Sequence, residues 1–374
     1  MSDATAPEPD RVEGAPHPRE TPRLIGQGVA ERAFLDVFKS GRLHHGWLIT
    51  GPRGVGKATL AWAIARFLLA TPDPGAEDGG LFGDAPPAPD SLTIPADHSV
   101  ARRIAAGSDP GLFHITRSLN DKTGRLRDRI VADAVRSLNH CLHLSSTDGG
   151  RRVVLIDSAD EMNTQAANAL LKMLEEPPAR TVLLLVSHQP SRLLPTIRSR
   201  CRELRLAPLG AQDMAEALEQ AGIAPEADAT ALAELSAGSV GEAVRLINLG
   251  GVAMYREIVE IASTMPRLDR ARAIRLAEAA ATRGAEDKLD LLLGLTDLFL
   301  ARLARGGALG PPPEAVPGEE ALIARLSPSP HTGRAWAECA QVIGARARHG
   351  RAVNLDPAAL VLDTVFKIQQ TAAG

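Results

Sequence analysis

Gly51-Pro52-Arg53-Gly54-Val55-Gly56-Lys57-Ala58-Thr59 decides how the rest of the chain is read. It matches G-x-x-x-x-G-K, and its flanks fit the motif. Before it, Gly46-Trp47-Leu48-Ile49-Thr50 is a short apolar run, the pattern of a buried strand. After it, residues 58–70 (ATLAWAIARFLLA) are apolar nearly all round, the pattern of a buried helix. The glycines let backbone N–H groups curl around phosphate oxygens, the helix N-terminus adds a partial positive charge, and Lys57 adds a full one. Gly51, Gly54, Val55, Gly56, Lys57, Ala58 and Thr59 are therefore the candidate phosphate-binding residues. The plain alternative is a glycine-rich turn with an incidental lysine; the strand and helix on either side weigh against it. One position departs from the full pattern. The residue after Lys57 should offer a hydroxyl to Mg2+, and Ala58 has none. Thr59, one helical step on, points about 100° away, so weakened metal coordination is expected.

Two further apolar runs extend the pattern. Val153-Val154-Leu155-Ile156-Asp157 is a buried strand with an acid at its tip. Beside a phosphate loop this is the Walker B form, in which Asp157 orients the Mg2+ shell; a buried strand that merely ends in a surface Asp looks the same. Many ATPases place a Glu directly after this Asp to activate water. Here the position is Ser158, which cannot act as a base, and Asp160 and Glu161 lie further along. Residues 164–176 (TQAANALLKMLEE) predict a helix stopped by Pro177-Pro178, and residues 181–187 (TVLLLVS) a third buried strand. Continuous apolar strands alternating with helices predict a parallel sheet covered on both faces.

Around this nucleus, helices are predicted over residues 29–40, 98–106 and 128–144. In the first, Ala30, Phe34, Val37 and Phe38 share one side, and Gly41 suits the C-terminal cap. Residues 1–20, rich in Pro, Asp and Glu, predict a disordered tail. Residues 71–97, dense in Pro, Gly, Asp and Ala, predict a mobile surface insertion. From about Leu209 the pattern is helical only, over 212–221, 227–237 and 241–249, with longer helices from Tyr255 onward. Residues 306–318 (GGALGPPPEAVPG) predict a loop interrupting them.

Composition narrows the class. The 374 residues allow two or three domains. With 44% hydrophobic and only 3% aromatic residues, the cores must be aliphatic, and a surface of base-stacking platforms is disfavoured. A net charge of −3 gives no basic excess for a free-standing nucleic-acid binder, so any DNA contact is expected through partners. Cys141, Cys201 and Cys339 form no C-x-x-C; neither a disulfide framework nor a zinc site is expected, and a reducing cytoplasm fits. The first twenty residues lack an apolar h-region and no run of about 18 apolar residues occurs, so neither a signal peptide nor a membrane span is expected.

Ser199-Arg200-Cys201 follows the third strand. An arginine projected from a turn can reach across a subunit interface to a neighbour's γ-phosphate. With Arg192, Arg198, Arg202 and Arg205 close by, the residues alone favour an ordinary surface arginine.

Taken together, Asn168-Ala169-Leu170-Leu171-Lys172-Met173-Leu174-Glu175-Glu176-Pro177-Pro178 and Ser199-Arg200-Cys201 resemble the bacterial clamp-loader subunits of DNA polymerase III. Asp133-Ala134-Val135-Arg136 and Asn354-Leu355-Asp356-Pro357 are similar too, so the resemblance runs from about Leu24 to Lys367. It implies a RecA-like P-loop AAA+ domain with a parallel sheet over residues 21–208, a small helical lid over 209–252, and an all-α collar over 253–374 that joins a pentameric ring. Two branches compete. The tau/gamma branch is the ATPase motor, with a complete P-loop, an acidic pair after the Walker B strand, and a sensing arginine in its lid. The delta-prime branch is the stator, which lacks hydrolysis and offers its SRC arginine to a neighbouring motor. Ala58, Ser158 and Gly241, the last standing where the motor places its sensing arginine, all point to the delta-prime branch. The retained Gly56-Lys57 leaves binding of ATP or ADP open.

The resemblance thus implies a subunit without efficient ATPase activity of its own. Its partners would be tau/gamma, delta, the sliding clamp and, through the complex, primed DNA. Arg200 would be a finger acting in trans, and Asp157 would belong to the nucleotide site. The four-Cys zinc module common in both branches has no counterpart, since residues 71–115 contain no Cys, and no zinc is expected. A motor ATPase and a generic AAA+ remodelling ATPase remain the alternatives.

Overall fold

The computed structural model describes residues 8, 11–72, 89–120, 123–124, 126–144, 150–224, 229–282, 286–353 and 355–374. Most of the expected insertion and the first residues of the expected tail lie outside these. In chain order the elements of the N-terminal half are α1 (Gly28–Lys39), β1 (Gly46–Thr50), α2 (Lys57–Ala70), α3 (Ser99–Ala105), β2 (Leu112–Ile115), α4 (Ala132–Leu144), β3 (Arg152–Ile156), α5 (Thr164–Glu175), β4 (Thr181–Ser187), α6 (Pro195–Arg198) and β5 (Arg202–Arg205). Helices α7 (Ala211–Gln220), α8 (Ala229–Leu235), α9 (Val240–Leu249), α10 (Gly251–Ser263), α11 (Arg270–Ala280), α12 (Glu286–Leu309), α13 (Glu319–Leu326), α14 (Pro330–Ala352) and α15 (Pro357–Ala372) follow. The chain divides into two compact units. One comprises Met1–Leu209 with Glu219–Gly222 and Ser239–Gly241; the other comprises Gly210–Leu218, Ile223–Gly238 and Glu242–Gly374. The helices expected as lid and collar thus fall mainly in one unit.

The first unit is built on a five-stranded sheet in the order β2-β3-β4-β1-β5, with all pairings parallel. The continuous apolar runs occupy its middle: β1 and β4 are buried along their whole length. On one face Leu48, Val154, Ile156, Leu183 and Leu185 pack with Val135, Leu138 and Leu142 of α4 and Leu170 and Leu174 of α5. On the other, the few aromatic residues gather. The Phe34 and Trp47 rings lie 5.0 Å apart and the Phe38 and Phe67 rings 4.8 Å apart, joining α1, β1 and α2. Burying such a side chain contributes about 1.5–3 kcal/mol.

Strands β2 and β5 were not expected. They are the two edges of the sheet, where only one face needs to be apolar; β5 reads RELR, with Leu204 its one buried residue. The helix predicted from residue 128 begins at Ala132. Residues 11–20 do not behave as the expected disordered tail. His17 is 1% exposed and sits edge-on to Trp62 of α2 at 5.8 Å. The buried guanidinium of Arg66 donates to the carbonyls of Arg19 (2.7 Å) and Thr21 (2.8 Å). An arginine buried in α2 needs acceptors, and this segment supplies them. At the described end of the expected insertion, the Leu92 N–H donates to Glu31 (2.9 Å) and Leu92 is buried.

The second unit is all helical. The expected loop 306–318 is a loop only from Gly310, because α12 continues through Gly306-Gly307 to Leu309. A Cβ at Gly306 would lie 2.4 Å from the Ile323 side chain, and one at Gly307 2.5 Å from the Ser329 carbonyl oxygen. These glycines permit close helix approach rather than a turn. The unit also holds a buried ionic cluster. Arg302 Nε donates to Glu319 Oε1 (2.7 Å) and Nη2 to Glu319 Oε2 (3.2 Å). Nη1 reaches Glu234 of α8 (3.1 Å). The Tyr255 hydroxyl and the Ala315 N–H (2.7 Å) donate to Glu319 as well. Glu319 is fully buried and Arg302 nearly so. Among the described residues, no helix is long and apolar enough to cross a membrane.

Candidate nucleotide site and interface arginine

The loop after β1 has the shape its glycines predict. Gly54 and Gly56 take left-handed backbone angles (φ +73° and +97°), and a Cβ at Gly54 would fall 2.1 Å from Ser239 Oγ. The Gly241 N–H donates to the Gly54 carbonyl (3.3 Å), so Ser239–Gly241 lies directly on the loop. Gln27, buried ahead of α1, fixes the loop from beneath: its amide donates to the carbonyls of Val55 (3.2 Å) and Ala207 (2.7 Å) and accepts from the Ala207 N–H (3.1 Å).

Lys57 opens α2, and its buried ammonium is turned onto the loop's own carbonyls, Gly51 (2.9 Å) and Pro52. Burial pulls its pKa down to about 8, against the opposing charges of Asp157 and Asp160. A basic group held in a ring of backbone dipoles at a helix N-terminus fits a phosphate. For Mg2+ the fit is poorer, since Asp157 offers a carboxylate but Ala58 contributes no oxygen.

Asp157 sits buried at the tip of β3. Ser158 behind it is forced into a left-handed conformation (φ 58°), and its hydroxyl lies 3.3 Å from His188 Nε2. Asp160 accepts from the N–H groups of His188 (3.0 Å) and Gln189 (3.2 Å), anchoring the turn after β4. Glu161 is paired with Arg117 (2.9 Å). Both carboxylates past Ser158 therefore already hold structure. His188 is the residue that sequence reading missed. Burial first, and then Lys57, push its pKa down to about 4, which leaves a neutral imidazole next to the loop at neutral pH. The signal was available: His188 is the first residue beyond the apolar run of β4, whose end is paired with the end of β1.

Ser199-Arg200-Cys201 occupies the turn between α6 and β5. Arg200 Nη2 pairs with Glu175 Oε1 (2.9 Å), and Nη1 donates to the Thr196 carbonyl (3.1 Å). Cys201 is half-buried, and desolvation pushes its thiol pKa up to about 12. A Cβ at Gly46 would lie 3.0 Å from Leu174 and 3.4 Å from Cys201 Sγ. The two motifs that carry the family resemblance thus meet in space. The candidate phosphate residues and Asp157 also come together, but Arg200 does not join them. Strands β1 and β5 run parallel with Trp47 opposite Arg202 and Thr50 opposite Arg205. The loop leaves the C-terminal end of β1, whereas Arg200 precedes the N-terminal end of β5. At about 3.3 Å per residue, roughly 15 Å of strand separates them.

Among the described residues, no group of three His, Cys, Asp or Glu side chains is placed to hold a metal ion. The family described as "DNA polymerase III, delta subunit" matches residues 26–210. DNA polymerase III subunit delta′ of Pseudomonas aeruginosa is 37% identical over 226 residues, 60% of this chain and 61% of that protein. The Escherichia coli subunit delta′ is 32% identical over 209 residues, 56% of each chain. DNA polymerase III subunit gamma/tau of Mycobacterium tuberculosis is 31% identical over 187 residues, 49% of this chain and 28% of that one. The matches therefore span about three fifths or less of each of these relatives. With the parallel sheet, the phosphate loop and the paired LLKMLEEPP and SRC segments in place, residues 26–210 belong to the family of DNA polymerase III clamp-loader subunits whose relatives include the delta-prime proteins.

Proposed function

We propose that this chain is the stator of a clamp loader, helping to place the sliding clamp on primed DNA in the cytoplasm and lending Arg200 to the ATP site of a neighbouring tau/gamma subunit. The observation that carries this reading is the placement of Arg200 at the opposite end of the sheet from its own phosphate loop. An arginine so placed lies too far from its own loop to meet a phosphate there, which supports a role toward a phosphate outside this chain. Ala58, Ser158 and Gly241 support the other half of the reading, a loop ill equipped for hydrolysis. Tau/gamma, delta and the clamp are the proposed partners, with residues 209–252 as lid and 253–374 as the collar through which the ring assembles.

The purified chain alone is expected to show negligible ATP turnover and to form a larger complex, followed by size, only when tau/gamma and delta are added. Turnover of roughly one per second by the chain alone, or self-assembly into a ring, would favour the motor or remodelling readings instead.

The intact cradle supports binding of ATP or ADP without efficient turnover. Lys57 makes that binding pH-dependent. A bound phosphate favours the ammonium form, so above about pH 8, where the free amine has shed its proton, binding must take a proton up. The dissociation constant for ADP is expected to rise by up to about tenfold per pH unit above that point. A Lys57→Arg variant, which keeps its charge, should be flat over the same range. An equally flat profile for the unaltered chain would mean that Lys57 takes up no proton when ADP binds, against the coupling proposed here.

A further inference from the structure

We infer that Glu175 is a positioning residue for Arg200, a role that rests on the reading of Arg200 as a finger. An arginine side chain is long, and its rotamer freedom must be given up when it meets a phosphate. Arg200 has surrendered part of it in advance. Two of its three guanidinium nitrogens are tied within the chain, Nη2 to Glu175 Oε1 at 2.9 Å and Nη1 to the Thr196 carbonyl at 3.1 Å. A guanidinium has five N–H donors, so these two contacts leave donors for a partner's phosphate. The side chain remains 37% exposed.

The support beneath Glu175 is rigid. It is the last residue of α5, and Pro177-Pro178 stop the helix just beyond. The preceding Leu174 is fixed on both sides: its carbonyl is bound by His45 Nε2 (3.0 Å), and its side chain fills the space above Gly46. At its other end α5 is capped by Asn163, which accepts from the Ala166 N–H (2.8 Å). The carboxylate is thus held at a set distance from the SRC turn by the helix that carries the other family motif. An ion pair this exposed contributes little to stability, so removing it leaves the fold intact and isolates its effect on orientation.

The test uses the assembled complex with tau/gamma, delta, clamp and primed DNA, with incorporation of each variant checked by size. Glu175→Ala is expected to lower kcat at the site that Arg200 serves about fivefold, on the scale of a partly lost orientation, with KM unchanged. Glu175→Gln, which keeps a hydrogen-bond acceptor, should lose less. The double variant Glu175→Ala/Arg200→Ala should be no slower than Arg200→Ala alone. If Arg200→Ala loses activity but Glu175→Ala does not, the positioning role is wrong and the finger stands. If the two losses multiply, Glu175 acts elsewhere and the proposal fails. If Arg200→Ala itself has no effect, the finger reading falls, and the positioning role with it.

Discussion

If Arg200 is the finger proposed above, replacing it with alanine is expected to abolish turnover at the neighbouring ATP site it serves, a loss of about a thousandfold there, the lower end of what an arginine finger contributes. The guanidinium would neutralise charge that builds on the transferring phosphoryl group, which bound ATP supplies. Nothing else along the SRC turn has a comparable fork of donors: Ser199 is neutral and Cys201 is a half-buried thiol whose ionisation desolvation disfavours. The clamp- and DNA-stimulated rate of the whole complex falls by the full factor if its sites fire in concert, and only by one site's share if they fire independently. Arg200→Lys should recover little, because an ammonium lacks the planar fork. Full stimulated activity in a correctly assembled Arg200→Ala complex would refute the finger. Nucleotide binding to the isolated chain should be the same in both variants, since Arg200 lies at the far end of the sheet from its own loop.

The second large effect concerns stability of the helical unit. Glu319 accepts from Arg302, Tyr255 and the Ala315 N–H while fully buried. Glu319→Ala removes the buried carboxylate and leaves the guanidinium with only the part-exposed Glu234 as a charge partner. Breaking a buried pair from one side costs about 3–5 kcal/mol, against total stabilities of about 5–15 kcal/mol for a domain. Urea unfolding followed by far-ultraviolet circular dichroism should show the midpoint for the helical unit falling sharply. The variant is expected to express poorly near body temperature. A loss below about 1 kcal/mol, the worth of an exposed pair, would mean that the cluster is open to water. Glu234, at the rim of the same cluster with 32% of its side chain exposed, should be far more tolerant of change.

The middle of the sheet was legible because a strand buried on both faces has to be apolar throughout: GWLIT, VVLI and TVLLLVS admit little else. The edges were not, since RELR and LFHI carry no period that separates them from a loop. Glycine misled for a related reason. Gly54 and Gly56 mark a turn, whereas Gly306 and Gly307 mark a place where helices touch, and the letter is the same. At the site, the contiguous phosphate residues were readable because one loop holds them all. What the sequence hid is tertiary: Asp160 spent on the amides of His188 and Gln189, His188 brought beside Lys57, and Glu175 brought to Arg200 across 25 positions of chain.

The segment ahead of α1 bears on how the protein can be taken apart. Polar and proline-rich, residues 11–21 invite removal when the sheet unit is to be isolated. Yet Arg66 finds its acceptors at Arg19 and Thr21, and His17 covers Trp62. A fragment starting at Gly28 would expose an aromatic face and strand a guanidinium inside α2. It would also lose the Gln27 amide that ties Val55 to Ala207. The working boundary of the sheet unit therefore lies ahead of His17. An affinity tag belongs upstream of that residue, and a protease site engineered between His17 and Gly28 would cut into the core rather than release a tail.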